Sequence, residues 1–183
     1  MSAPSEFELR RGGIDDLEVI LATVRVGFET YAEFAPPGWT PPMPAEERTR
    51  TAERLRDPDT WVMLAGIGGE PVGHVGFVPA SEARIGDPSP SDWRARTRVP
   101  GLAHFWQLFV LPPWWGSGAA AILHQAAVAE MRAEGYERSR LFTPSQHVRA
   151  RRFYERRGWV AAEERLDLNL GLELAEYRLE LSA

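Results

Sequence analysis

The spacing of apolar residues along the chain separates candidate helices from candidate strands. Between Ile14 and about Thr30 apolar side chains recur every three or four positions, the spacing of one helix face. Short apolar runs bounded by glycine and proline, such as Phe7–Arg10, predict strands instead. By these criteria, helices are predicted at 14–30, 45–56, 119–134 and 148–157. Strands are predicted at 7–10, 61–66, 71–78, 104–110, 139–143, 159–168 and 172–181.

Glycine and proline mark the connections between these elements. Ile67–Glu70 contains two adjacent glycines and predicts a hairpin turn. Residues 35–44 and 79–101 are rich in proline and predict loops, the second of them long. The resulting order, β-α-α-β-β-β-α-β-α-β-β, predicts an α+β (mixed α/β) fold with one central sheet.

Length and composition limit the class of protein. A chain of 183 residues with 44% hydrophobic and 26% charged residues predicts one globular domain, residues 1–183. The absence of cysteine excludes disulfides, thiolate metal sites and a cysteine nucleophile. No apolar run approaches the roughly 20 residues of a membrane span, and Met1–Ser5 lacks the features of a signal peptide. We therefore expect no membrane association and, by default, a cytoplasmic location.

Charge narrows the range of partners. The formal net charge is −5, which argues against nucleic-acid binding and is compatible with cationic substrates. All 21 basic residues are arginine, which suggests codon bias more than a phosphate-binding surface. Four histidines without cysteine or clustered carboxylates predict no metal site.

The most informative segment runs from Gln107 to Leu123. It combines an apolar strand, a turn containing Gly116 and Gly118, and the start of a helix. Such an arrangement presents backbone N–H groups at a helix N-terminus and suits a phosphate. Only alanines follow Gly118, so the lysine of a nucleotide P-loop is missing. The turn is therefore predicted to hold the diphosphate of a carrier molecule. The simpler alternative is a tight turn without a ligand.

Two sequence motifs place these elements in a known family. The first contains matches at Val110, Pro112, Gly116, Gly118, Ala120 and Leu123. The second contains matches at Ala150, Phe153, Tyr154, Gly158 and Trp159. With these motifs the chain resembles the GNAT superfamily of acyl-CoA-dependent N-acyltransferases. Two positions depart from the family pattern: Trp115 replaces a glutamine or arginine, and His147 replaces an asparagine.

The resemblance implies a fold, a co-substrate and a set of binding residues. The implied fold has a central mixed, mostly antiparallel sheet flanked by helices on both faces. The implied co-substrate is acetyl-CoA, with no metal. The main chain of Leu108–Val110 is expected to hold the pantetheine arm and the acyl carbonyl, because this strand splays from its neighbour in the family. The remaining cofactor-binding residues implied are Trp115, Gly116, Ser117, Gly118, Ala119, Ala120, His147, Arg149 and Phe153.

Tyr154 and His104 are the candidate catalytic residues. In the family the matching tyrosine protonates the leaving CoA thiolate, although a core tyrosine is the alternative reading. Many relatives use a glutamate as the general base on the strand that here contains Trp106 and Gln107. Neither of these two side chains can act as a base. His104 lies two positions before Trp106, on the same face of the strand, and histidine accepts protons near neutral pH.

The identity of the base is left open. His74 on the preceding strand and Glu33 near the first loop are further candidates. A chain of water molecules, or an acceptor amine that arrives neutral, could replace all of them.

Together these features predict an N-acetyltransferase in which a primary amine attacks acetyl-CoA directly. The acceptor would be a small-molecule amine or a peptide, and a homodimer is possible. Tyr31, Phe34, Trp39 and Trp93 either line the acceptor site or pack locally beneath a lid. The alternative function is an acyl-CoA-binding sensor or partner module without turnover.

Overall fold

The structure, a computed structural model, describes residues 7–85 and 96–182, and this part of the chain forms seven strands and four helices. The strands are β1 (Glu8–Arg11), β2 (Trp61–Ile67), β3 (Glu70–Ser81), β4 (Arg98–Val110), β5 (Arg138–Pro144), β6 (Val160–Asp167) and β7 (Leu172–Glu180). The helices are α1 (Leu17–Glu29), α2 (Pro44–Leu55), α3 (Ala119–Ala133) and α4 (Val148–Glu155).

The strands form one sheet in the order β1-β2-β3-β4-β5-β7-β6. Strand β2 pairs antiparallel with β1 and with β3, and Gly68 and Gly69 make the β2–β3 turn with positive φ. Strand β4 pairs parallel with β5, which requires a crossover and receives one through α3. Strand β7 lies between β5 and β6 and is antiparallel to both. The predicted α+β fold with a mixed, mostly antiparallel sheet is confirmed.

The prediction of a loop over residues 79–101 is wrong at both ends. Strand β3 continues through Pro79 to Ser81, and β4 begins at Arg98 instead of His104. Proline lacks only the N–H group, so a strand can contain it where no ladder hydrogen bond is needed. Gly101 takes a φ of +69° within β4, a local irregularity that the sequence pattern presents as a strand end. Trp93 lies outside the described residues.

Contacts within the chain divide it into two units. The first comprises Met1–Thr30, Met43–Phe77 and Gln107–Glu130, and the second Tyr31–Pro42, Val78–Trp106 and Met131–Ala183. Ile20 and Phe77 are completely buried in the first unit, and Tyr177 is completely buried in the second. The single domain expected from chain length stays a prediction.

Two properties of the described residues bear on membrane and metal binding. None of the helices there has the length and apolar character needed to cross a bilayer. Over the same residues, histidine, aspartate and glutamate side chains form no group of three that could hold a metal ion.

Candidate active site

The turn between β4 and α3 is built around two glycines. A single 3₁₀ turn, Pro112–Trp114, follows β4 and gives way to Gly116 and Gly118, whose φ angles are +79° and +96°. A side chain at either position would be strained, because residues other than glycine rarely adopt these angles. The space beside both Cα atoms is open. The backbone of the turn is therefore accessible to a ligand.

Backbone N–H groups along this turn alternate between engaged and unengaged. Trp115 N–H donates to Pro112 O at 3.1 Å, Ser117 N–H to Trp114 O at 3.3 Å, and Ala119 N–H to Ser117 Oγ at 3.3 Å. Within the described chain, the three N–H groups between and after them donate no hydrogen bond. They belong to Gly116, Gly118 and Ala120.

Three unengaged donors at the start of a 15-residue helix form an anion-binding arrangement. The turn was predicted to offer the six N–H groups of Trp115–Ala120. Three of them are engaged in hydrogen bonds that shape the turn, which leaves the other three for a ligand. The Ser117 hydroxyl also serves the turn, since it donates to Trp114 O at 2.6 Å.

Trp115 uses its indole to fasten this turn to β4. Its Nε1–H donates to the carbonyl oxygen of Val110 at 2.8 Å, while the ring remains 37% exposed. The residue that replaces the glutamine or arginine of the family pattern thus makes a hydrogen bond within the protein. The Val110 carbonyl, part of the strand predicted to hold the pantetheine arm, thus accepts one hydrogen bond from within the protein.

The strand Leu108–Val110 is held from the side of α1 and β3. The ring of Phe109 lies so close to Gly27 that a Cβ there would collide with it, and Phe28 contacts its edge with ring centroids 5.8 Å apart. A Cβ at Gly73 on β3 would collide with the carbonyl oxygen of Phe109. Any larger residue at Gly27 or Gly73 would displace the strand that is predicted to hold the acyl group.

Strands β4 and β5 pair over a short stretch only. The parallel register joins Leu102–His104 to Arg138–Arg140, and no pairing is found beyond His104 among the described residues. Strand β5 nevertheless continues to Pro144, paired there with Leu174 of β7. Among the described residues the β4–β5 register therefore ends at His104, while β4 continues to Val110 and β5 to Pro144.

Tyr154 on α4 lies in an aromatic cluster. Its ring contacts Phe105, Phe153 and Trp159 at centroid distances of 6.2, 5.3 and 5.8 Å. Burial raises the pKa of Tyr154 above its ordinary value, and the nearby phenol of Tyr31 adds to this effect. The hydroxyl makes no hydrogen bond to any described residue and is not fully enclosed. A protonated, unengaged phenol can donate to an incoming group.

His147 is positioned by aromatic rings from the segment that follows α1. Its ring lies 5.0 Å from Phe34 and 5.7 Å from Tyr31, and Trp39 in turn contacts Tyr31 and donates from Nε1 to Leu170 O at 2.7 Å. Burial lowers the pKa of His147 to about 4, and the charge of Arg149 adds to this. A neutral ring in this packing role differs from the asparagine that the family pattern places here.

The two other predicted binding residues on α4 interact with protein charges. Arg149 is exposed, and burial lowers its pKa while the carboxylate of Glu33 acts in the opposite direction. The ring of Phe153 lies 3.7 Å from the guanidinium carbon of Arg157, a cation–π contact. Neither contact assigns a ligand to these side chains.

His104 is half-buried at the last position of β4 that pairs with β5. Its ring contacts Phe142 with centroids 5.0 Å apart, and the guanidinium of Arg140 lies over the same phenylalanine at 5.2 Å. Since side chains alternate along a strand, His104 leaves β4 on the face opposite Phe105. The structure therefore places His104 in a different side-chain cluster from Tyr154.

A buried polar cluster that the sequence did not predict involves His74. Its Nδ1 lies 2.6 Å from the hydroxyl of Thr23 on α1, and its Nε2 lies 2.9 Å from Oε1 of Gln107 on β4. Burial lowers the pKa of His74 to about 4, so the ring is neutral. Because both ring nitrogens are engaged, His74 cannot accept a proton from a substrate. Polar residues on two neighbouring apolar strands were the available signal.

The His74 cluster makes the folding stability depend on pH. Between the ordinary histidine pKa of about 6.5 and the value of about 4 in the folded state, only the unfolded chain binds the proton at this residue. Folding stability is therefore lost as pH falls through that range, by roughly 3 kcal/mol for a fully buried ring.

We expect wild type to lose more free energy of unfolding between pH 7 and pH 4 than His74→Gln, measured by urea denaturation. His147 contributes in both proteins, so the difference isolates His74. Equal losses would contradict the neutral, doubly bonded ring.

Comparisons with known proteins agree with this architecture. The Acetyltransferase (GNAT) family model matches residues 26–159, well over half of the chain. Sequence comparison with curated proteins found no match.

Solved structures share the fold at low sequence identity. An N-acetyltransferase from Staphylococcus aureus is 19% identical, with a TM-score of 0.67, covering 97% of this chain and 100% of its own. The PaiA N-acetyltransferase from Thermoplasma acidophilum, solved with coenzyme A, is 16% identical, with a TM-score of 0.67 and coverage of 95% and 99%. The ribosomal-protein-S18-alanine N-acetyltransferase from Escherichia coli is 13% identical, with a TM-score of 0.64 and coverage of 97% and 96%.

The family match includes the glycine turn before α3 and also helix α4 with Tyr154. The chain belongs to the GNAT family of acetyltransferases.

Proposed function

We propose that this protein transfers the acetyl group of acetyl-CoA to a primary amine by direct attack of the amine on the thioester. The observation that carries the proposal is the set of unengaged N–H groups at Gly116, Gly118 and Ala120. These donors, next to a helix N-terminus, suit the diphosphate of coenzyme A. A structural neighbour solved in complex with coenzyme A supports this ligand.

The chemistry of the transfer assigns roles to two side chains. The amine nitrogen attacks the thioester carbon, the carbon–sulfur bond breaks, and the thiolate of coenzyme A leaves. Tyr154, with its raised pKa, keeps its proton at neutral pH and donates a hydrogen bond to the sulfur as negative charge develops. A main-chain N–H group of Leu108–Val110 stabilises the oxyanion.

The attacking nitrogen must also lose a proton. His104 is the proposed proton acceptor, because it stands where β4 and β5 stop pairing and histidine as a residue type accepts protons near neutral pH. The proton given up by the amine balances the one that the thiolate finally receives. No covalent enzyme intermediate is needed.

Thiol release in the presence of defined amines tests this proposal. The purified protein would be incubated with acetyl-CoA and a panel comprising spermidine, tyramine, phenylalaninamide, kanamycin and the peptide Ala-Ala-Ala. We expect free CoA to appear faster with one class of amine than without amine. The product should be heavier than the amine by about 42 mass units, the difference between an acetyl group and a hydrogen atom.

Binding without turnover is the result that would overturn it. If acetyl-CoA binds in calorimetry but no amine accelerates CoA release, the sensor function is supported instead. A His104→Gln variant with an unchanged rate on an active amine would remove His104 from the mechanism and leave the transfer itself intact.

A further inference from the structure

Three buried side chains of the first unit form a hydrogen-bonded chain that ends in a glutamine amide. Thr23, His74 and Gln107 are 3%, 1% and 9% exposed. Oγ1 of Thr23 lies 2.6 Å from Nδ1 of His74, and Nε2 of His74 lies 2.9 Å from Oε1 of Gln107. These hydrogen bonds connect α1, β3 and β4.

Counting hydrogens fixes the direction of these bonds. An amide oxygen can only accept, so Nε2 of His74 carries the ring hydrogen and donates to Gln107. Nδ1 is then the acceptor and receives the hydroxyl hydrogen of Thr23. The same hydroxyl hydrogen is shared with the carbonyl oxygen of Ile20, which accepts from Thr23 Oγ1 at 2.8 Å. Because burial lowers the pKa of His74 to about 4, this arrangement persists at neutral pH.

The series of hydrogen bonds ends at the NH₂ group of Gln107. This nitrogen has no hydrogen-bond partner among the described residues, and it is not among the fully enclosed polar atoms. Burying a polar side chain is unfavourable unless its groups are paired. Two buried residues thus hold one amide with its oxygen turned inward and two donor hydrogens turned outward.

The position of Gln107 relates this group to the proposed chemistry. It directly precedes Leu108–Val110, and the ring of Phe109 also contacts His74, with centroids 6.0 Å apart. An NH₂ group can only donate here, so it cannot bind a protonated amine or remove a proton. Its ligand must offer an oxygen atom as acceptor.

We propose that the amide nitrogen of Gln107 binds a carbonyl or carboxylate oxygen of the acceptor substrate, which makes the acceptor an amino acid derivative or a peptide instead of a simple alkylamine. This specificity rests on the proposed acetyl transfer. Thr23 and His74 are positioning residues, because they act only through Gln107.

The side-chain amide can be observed directly by NMR. The chain contains only three glutamines, at 107, 125 and 146, and one asparagine, at 169, so four pairs of side-chain ¹⁵N–¹H signals are expected. The Gln107 pair is the one missing from Gln107→Glu, a variant that keeps oxygen acceptors for His74 and loses the donor. Gln125→Glu, the same change at an exposed position of α3, is the matched control.

Amines that carry a carbonyl group are compared with amines that lack one. With coenzyme A present, we expect glycinamide, phenylalaninamide or Ala-Ala-Ala to shift the Gln107 signals, and ethylamine and phenethylamine to leave them unchanged. A shift caused by acetyl-CoA alone would assign the donor to a pantetheine carbonyl and overturn the proposal. No shift with any carbonyl-bearing amine would overturn it as well.

Kinetics provides the second measurement. For an active carbonyl-bearing amine, Gln107→Glu should raise KM about tenfold or more, as expected for a lost hydrogen bond next to a new negative charge, with KM for acetyl-CoA within about twofold of wild type. Gln125→Glu should change neither constant. Unchanged KM for the amine in Gln107→Glu would contradict the assignment. If no amine releases CoA from wild type, the proposed function fails, whereas the NMR comparison still decides the role of Gln107.

Discussion

Tyr154→Phe is expected to lower kcat for acetyl transfer about 100-fold while leaving acetyl-CoA affinity near wild type. Proton or hydrogen-bond donation by a positioned side chain typically contributes between 10² and 10⁴ in rate, so the estimate of about 100-fold is at the lower end. The Tyr154 hydroxyl makes no hydrogen bond to the described protein, so removing it leaves no partner unsatisfied. The melting temperature should therefore hardly change. Stopped-flow thiol detection and calorimetric titration measure the two quantities.

Tyr177→Phe provides a control with the opposite pattern. Its hydroxyl donates to Glu155 Oε1 at 2.7 Å and accepts from Arg151 Nε at 2.9 Å, on a ring that is completely buried. Removing it leaves two polar partners without their bond, which typically costs about 1–3 kcal/mol of folding stability. We expect a lower melting temperature and a kcat near that of wild type. A Tyr154→Phe enzyme that loses stability but keeps its rate would make Tyr154 a core residue.

The elements that could be predicted from the sequence are those determined by local patterns. The apolar spacing of 14–30 located α1, and the two glycines after β4 located the turn whose unusual φ angles require them. In both cases the deciding interaction lies within a few residues along the chain. The strand ends around Pro79 and Pro100 were not predictable in this way, because proline is excluded only where a neighbouring strand needs its N–H.

The parts of the candidate site that the sequence could not provide depend on distant partners. Thr23, His74 and Gln107 are separated by 51 and 33 positions, and only the folded chain shows that they share hydrogen bonds. Trp115 is a second example. Its residue type suggests packing or a lid, whereas its indole N–H holds the Val110 carbonyl and shapes the turn. The sequence identifies residues with suitable chemistry, but the partner of each polar atom decides which of them remain available to a substrate.

Gly118→Glu is expected to weaken acetyl-CoA binding by about 100-fold or more, which corresponds to roughly 2.7 kcal/mol. The new carboxylate would stand beside the N–H groups of Gly116 and Ala120, where the proposed function places the diphosphate, and like charges repel strongly at such short range. The backbone contributes too, because a φ of +96° is unfavourable for glutamate. Space beside Gly118 is open, so a steric clash with the protein is not the cause. Calorimetric titration with acetyl-CoA gives the affinity.

Gly135→Glu separates the charge effect from backbone strain. Gly135 follows α3, has a φ of +83° and likewise has open space where a side chain would begin. Both variants should therefore lose similar folding stability, but only Gly118→Glu should lose affinity. Gly118→Ala, which adds strain without charge, should fall between wild type and Gly118→Glu, and its affinity should depend less on salt because no added charge is screened. If Gly118→Glu binds acetyl-CoA as tightly as Gly135→Glu does, the diphosphate does not bind at this turn.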